Sequence, residues 1–278
     1  MSIRREDRQL PRHQSRSESR LWGARRLAAT NRAPVARGRN TSTVVEGETI
    51  MSSIDPIKMY EDKKKKFGPN AYKHVSELLT EAKELHRRDF LENPSPKGDF
   101  EQSWKPVKGN ILEKLIIYIL EDEVALLGLN IVSGKRLGNV KSQNLSKALS
   151  LVKRNLLVDY GEFGSHLPDV DIIIYNPNTF KVLAVISSKS SLRERIAQTA
   201  YWKLKLYADR ATEHIKVYFV TPDLDGILTV KIPASKDRAM VEVDTDGSYV
   251  MSETQIEESQ TVKMFDKCIE DLRRLVNG

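Results

Sequence analysis

The segment from Leu167 to Lys189 constrains the fold most, because within it the spacing of apolar residues drops from the three-to-four of a helix to the two of an extended strand. Val170, Ile172 and Ile174 alternate with Asp169, Asp171 and Ile173; the cluster Asn176-Pro177-Asn178-Thr179 then reads as a turn, and Val182 to Ile186 is a second apolar run. Two strands joined by a short polar turn predict an antiparallel hairpin. Helical stripes flank it. Val75, Leu78, Leu79, Ala82 and Leu85 share one helix face, a second helix is expected from Gly109 and Asn110 to about Leu127 with Asn110 as its N-cap, and a third fits Asn144 to Leu156. After the hairpin, Ser190 or Ser191 can cap a helix reaching Tyr207, and Ile215 to Val220 is a further strand. A strand pair around Ile227 to Ile232 and Met240 to Val243 precedes a final amphipathic helix from about Glu258 to Val276. The expectation is an α/β body, with a short mixed sheet carrying the hairpin and helices flanking it.

Charge divides the chain. The first 40 residues hold eleven arginines against Glu6, Asp7 and Glu18, while the remainder carries 34 basic and 35 acidic residues. The first lysine is Lys58, and residues 1–50, rich in Arg, Ser, Ala and Pro without apolar periodicity, read as a disordered tail. That tail is an arm for nucleic-acid phosphates, a transit peptide, or a stretch upstream of a true start at Met51. Residues 51–278 are expected to form a single domain. Its longest apolar stretch, Ile111 to Leu129, is broken by Glu113, Lys114, Glu121, Asp122 and Glu123, so no membrane span is expected. One cysteine, Cys268, cannot form an internal disulfide and suits a reducing cytoplasm. No G-x-x-x-x-G-K-[ST] loop and no Cys/His zinc spacing occur, which argues against a nucleotide cofactor and a zinc site.

The hairpin also concentrates reactive side chains. Alternate strand positions share a face, so Asp169 and Asp171 are expected to point together, as are Ser187 and Lys189. Folding about Pro177 and Asn178 sets Asp169 near Ile186 and Ser187, so a carboxylate and an ammonium converge at one end. Such a carboxylate can hold a hard divalent cation, and the lysine can orient a water for attack on a phosphodiester. Taken alone, an Asp at a strand start and a Lys at a strand end are ordinary surface residues. Glu113 adds weight, since an acid in the apolar run Ile111-Leu112-Glu113-Lys114-Leu115-Ile116-Ile117 is costly unless it faces a cation or water. Arg193-Glu194-Arg195 follows the lysine, and guanidinium forks match guanine O6 and N7 while a carboxylate accepts from cytosine N4. His166 and the run Lys63-Lys64-Lys65-Lys66 are weaker signals, read respectively as a loop histidine and a solvated helix face, and Lys135-Arg136 and Lys203 with Lys205 are possible backbone contacts.

Pro168-Asp169, Ser187-Ser188-Lys189 and Arg193-Glu194-Arg195 together resemble the PD-(D/E)xK nucleases, more narrowly the type II restriction endonucleases that cut targets with CCGG or with CC and GG around a central base or pair. The resemblance covers roughly Lys108 to Tyr207. It implies a restriction-endonuclease-like core and Mg2+-dependent hydrolysis of double-stranded DNA at a short G·C-containing palindrome with a CCGG core. It further implies a staggered cut before the first C that leaves 5′-phosphate ends, and a homodimer on DNA. Asp169, Glu113 and Asp171 would hold the metal, Asp169, Lys189 and Glu113 would be catalytic, and Arg193, Glu194 and Arg195 would read bases. Ser187 stands where the second acid of the motif is commonly replaced by a small residue. One departure is clear: the displaced glutamate usual in this group would fall at Trp202 or Lys203, and nothing acidic lies between Glu194 and Asp209. Asp171 or Glu113 completes the site, Gln198 stands in through water, or the chain binds without cutting. A repair or recombination nuclease that reads DNA shape would keep Asp169 and Lys189 without needing the Arg-Glu-Arg segment.

Overall fold

The structure, a computed structural model, describes residues 54–93, 98–139, 144–191 and 196–277. The Arg-rich tail and Arg193-Glu194-Arg195 lie outside the described residues. Helices α1 (Pro56–Phe67), α2 (Val75–Glu92) and α3 (Phe100–Leu126) lead into β1 (Asn130–Ser133), α4 (Gly134–Asn139) and α5 (Lys147–Arg154). The short strands β2 (Val158–Asp159) and β3 (Ser165–His166) form a separate ribbon before the hairpin strands β4 (Ile172–Tyr175) and β5 (Val182–Ser188). Then follow α6 (Ile196–Tyr207), β6 (Lys216–Thr221), α7 (Lys236–Asp244), β7 (Gly247–Val250), β8 (Val262–Met264) and α8 (Lys267–Asn277).

The main sheet has the order β1-β4-β5-β6-β7-β8. Its first three strands are antiparallel neighbours and β5 through β8 run parallel, so the expected mixed sheet flanked by helices is what forms. Strand alternation sorts its core into two faces. Ile172, Ile174, Ala184, Ile186, Tyr218, Val220 and Tyr249 pack with residues of α1, α2, α3 and α8, whereas Ile173, Val185 and Val217 pack with residues of α4, α5 and α6. A sheet buried on both faces explains why β4 reads as the continuous apolar run Ile172-Ile173-Ile174.

Helix α3 starts ten residues before the expected Asn110, with Asp99 as its N-cap, and carries Pro106 in its interior. The turns around that proline are held by tertiary packing: Trp104 is buried, and Phe100 packs on His86 and Phe90 of α2. The expected strand at Met240–Val243 is instead part of α7, capped by Ser235, and the expected start of the last helix contains β8. On α1 the lysine run is compensated locally. Lys64 and Lys65 pair with Glu61 and Asp62 and Lys66 lies over the Phe67 ring, all three exposed as on a solvated face, whereas Lys63 departs from that expectation: its side chain is only 12% exposed and binds Glu77 at 2.6 Å and Glu81 at 2.9 Å. Among the described residues no helix is long and apolar enough to cross a membrane.

Candidate active site

The hairpin turn is wider than the sequence suggests. Asn176 N–H donates to the Lys181 carbonyl at 2.9 Å, and the Asn176 side-chain oxygen accepts from the amides of Asn178 and Thr179, so the loop extends to Lys181. Ile172 therefore lies opposite Ile186, Ile173 opposite Val185 and Ile174 opposite Ala184. The expected placement of Asp169 beside Ile186 and Ser187 is thus corrected.

The carboxylate that meets the lysine is that of Asp171. Its Oδ2 lies 2.7 Å from Lys189 Nζ and accepts the Ser188 N–H at 2.7 Å, with both side chains about five-sixths buried at 17% and 16% exposure. The Asp171 N–H donates to the Ile186 carbonyl, and the Lys189 N–H donates to the Val220 carbonyl of β6, which fixes both ends of the pair to the sheet. Asp169 lies before β4, where the Val170 N–H turns back to the Pro168 carbonyl, so strand alternation does not extend to it. Its Oδ2 instead accepts from Gln198 Nε2 of α6 at 2.7 Å. Asp169 and Asp171 therefore serve different partners, and Gln198 is engaged by Asp169.

Glu113 comes to the same place from α3 and is only 5% exposed. Its Oε1 accepts from the Ser133 hydroxyl and its Oε2 lies 2.6 Å from Lys135 Nζ, which also contacts the Asn110 side-chain oxygen. Between these two partners, the Gly134 N–H donates to the Asp171 carbonyl at 2.7 Å. A Cβ on Gly134 would sit 1.9 Å from the Val170 carbonyl oxygen, so only glycine lets the β1–α4 junction approach the hairpin this closely. The triplet Ser133-Gly134-Lys135 thus clasps Glu113 with its outer members and touches the Asp171 backbone with its middle one. Sequence reasoning marked Lys135 only as a backbone contact and passed over Ser133 and Gly134.

These groups line a cavity of about 520 Å³ that contains Glu113, Asp171, Ser188 and the lysines Lys105, Lys108, Lys135 and Lys189. Four lysines and two acidic residues line it, so the cavity carries an excess of positive charge and suits an anionic substrate. Ser187 is buried and is not among its lining residues. Trp202 packs in the core on the α4–α6 side and Lys203 pairs with Asp246, so neither replaces the displaced glutamate. His166 contacts the Phe163 carbonyl at 3.0 Å, a local loop role. Elsewhere, a cleft of about 560 Å³ contains Asp271, but Lys263, Tyr249 and Arg274 already occupy its carboxylate. His74 with Glu77 and Glu253 is the group among the described residues in which three metal-ligating atoms approach one another, yet Lys63 already holds Glu77.

Residues 148–273 match the family model described as BsaWI restriction endonuclease type 2. Among solved structures, the "specific restriction endonuclease AgeI-DNA complex" is similar at a TM-score of 0.49 and 17% identity, covering 78% of this chain and 91% of that one. The "Probable type II restriction enzyme HpyAORF263P" of Helicobacter pylori is 33% identical over 171 residues, 59% of this chain and 86% of that protein. The "Putative type II restriction enzyme MjaVIP" of Methanocaldococcus jannaschii is 36% identical over 212 residues, 72% of this chain and 92% of that protein. A similarity of that extent makes the chain a member of the type II restriction enzyme family of site-specific deoxyribonucleases.

Proposed function

We propose that the protein hydrolyses double-stranded DNA with Mg2+ at a short G·C-containing palindrome with a CCGG core, and that the cavity between α3 and the hairpin is where it cuts. The single observation that carries this reading is that the Asp171–Lys189 pair and Glu113 line one cavity rich in lysine. The available donors are hard oxygens: the carboxylates of Asp171 and Glu113, with the Ser133 hydroxyl and the Asn110 amide oxygen beside them. That set fits Mg2+ and not a thiophilic ion. Bound there, the ion supplies charge neutralisation at the phosphoryl oxygens and a more acidic water.

The remaining work falls to the chain's own groups. Asp171, just before β4, and Glu113, on α3, would hold the cation. Lys189, fixed by its backbone bond to β6, directs its ammonium donors at the attacking water and at charge developing on the phosphate. Lys105 and Lys108 extend the positive surface along the DNA backbone. Asp169 ties α6 to the hairpin through Gln198 instead of holding metal. Arg193, Glu194 and Arg195, between Lys189 and α6, read consecutive G·C pairs in the major groove. A palindrome read on both strands calls for two copies, so the protein acts as a homodimer on DNA, and the cut before the first C leaves staggered 5′-phosphate ends.

Digestion of a sequenced plasmid with Mg2+, followed by end mapping, tests the whole reading. Discrete fragments with 5′ extensions at CCGG-containing sites are expected; a smear, or ends without a shared sequence, refutes it. Lys189→Ala is expected to abolish cutting while leaving specific binding within about tenfold, because the lysine acts on the reacting phosphate and not on bases.

A further inference from the structure

The two lysines that balance the site's carboxylates are held differently. Lys189 is 16% exposed and anchored, whereas the Lys135 side chain is 51% exposed although its ammonium lies 2.6 Å from Glu113 Oε2. Glu113 is the reverse, with its side chain 7% exposed in an apolar helix, so it needs a positive partner at all times. Lys135 supplies that partner from the solvent side, on a half-exposed, flexible stem at the wall of the cavity it shares with Asp171 and Lys189. A divalent ion on Glu113 takes over the same role and leaves the ammonium without its counter-charge, beside a site whose substrate is a polyanion.

We propose that Lys135 is an exchangeable phosphate-binding lysine: it holds Glu113 until a divalent cation takes its place, then grips a backbone phosphate of the DNA. The inference rests on the nuclease reading above and adds a role that the Asp171–Lys189 pair does not require. It makes metal and DNA binding mutually supportive, since the cation frees the very group that meets the phosphate.

The test uses the full chain and Lys135→Met, with Lys135→Gln as a second variant that still donates to Glu113 but carries no charge. Calorimetric titration with Ca2+ in the absence of DNA is expected to show binding up to about fivefold tighter in both variants, because a competing ion pair of half-exposed character is gone. With Ca2+ and specific DNA, the slope of log K against log salt is expected to become shallower by about 0.9, the loss of one phosphate contact. Weaker Ca2+ binding in both variants, or an unchanged salt slope, overturns the proposal. Failure of the underlying reading shows separately: Lys189→Ala would then cut like the parent, or the parent would fail to bind DNA in a salt-dependent way.

Discussion

Exchanging the two aspartates of the Pro168-Asp169-Val170-Asp171 segment for asparagine, one at a time, tests the proposal that Asp171 holds the metal and Asp169 braces α6. Asp171→Asn removes the charge that balances Lys189 across 2.7 Å, in a pair about five-sixths buried. A hydrogen bond to a charged group contributes about 1.5–3 kcal/mol, and breaking a fully buried pair costs about 3–5 kcal/mol. Because the cavity admits water, we expect the lower range, about 2–3 kcal/mol, and so a fall in Tm on the order of 5–10 °C for a folded body of this size. Activity should suffer more. A metal ion supplies several kcal/mol of transition-state stabilisation, so weakening its carboxylate slows cutting by at least about a thousandfold at 1.36 kcal/mol per decade. Asp169→Asn disturbs one exposed hydrogen bond to Gln198 and should cost about 0.5–1.5 kcal/mol, leaving cutting within about tenfold of the parent. The assay is the initial rate of plasmid cleavage at saturating Mg2+, read beside a thermal melt of each variant. If Asp169→Asn abolishes cleavage with its melt intact while Asp171→Asn still cuts, the metal-holding carboxylate has been misassigned.

Gly134→Ala is expected to destabilise by about 1–3 kcal/mol or more and to depress cleavage, since its Cβ would lie 1.9 Å from the Val170 carbonyl oxygen and would push Ser133 and Lys135 away from Glu113; a denaturant melt and a cleavage rate check both. Arg238→Lys should cost about 3 kcal/mol in a urea midpoint measurement. The fully buried guanidinium bonds the carbonyls of Leu228 and Glu257 as well as Glu242, and an ammonium cannot span all three. For pH, the hydrogen bond from Lys63, and next that from His74, lowers the Glu77 carboxyl to about 2. A depressed carboxylate contributes stability that is complete above its unfolded pKa, about 4.3, and is lost as pH falls towards about 2. The Tm difference between the parent and Glu77→Gln should therefore be largest near neutrality and vanish in strong acid; a difference that grows on acidification would refute the assignment.

The parts of this molecule that were legible from sequence are those whose cause is local. The hairpin could be read because Ile172, Ile174 and Val182 to Ile186 carry a strand pattern and Asn176-Pro177-Asn178-Thr179 a turn composition. Glu113 stood out because an acid in an apolar helix demands a partner. The register could not be read, because it depends on the Asn176 side chain holding the amides of Asn178 and Thr179 and carrying the loop on to Lys181. Strands β1 and β7 passed unnoticed for a related reason: Asn130-Ile-Val-Ser133 and Gly247-Ser-Tyr-Val250 are four residues each and half polar or glycine, and only neighbouring strands make them extended. The start of α3 was misplaced because Pro106 and Gly109 suggest a break, while Trp104 and Phe100 are packed firmly enough to carry the helix through it. Ser133-Gly134-Lys135 has no signature of its own; its meaning lies in Val170 and Glu113, which the chain brings to it from tens of residues away.

The corrected register also bears on why a small residue stands at Ser187. Extending the observed pairing by one residue from Ile172 and Ile186 sets Asp171 opposite Ser187, with Lys189 the diagonal neighbour. A second carboxylate at position 187 would stand beside Asp171 on the adjacent strand, and like charges so placed repel. Supplying the other acid from α3 avoids that contact, because Glu113 approaches from the helix layer with its own cation, Lys135, while Asp171 keeps Lys189. Each carboxylate then arrives charge-balanced by a lysine of its own, and under the proposed function a divalent cation would be held between the two acids. Returning a glutamate to position 187 while removing Glu113 should therefore fail to restore cutting, since it moves the second acid onto the strand and leaves Lys135 facing no counter-charge.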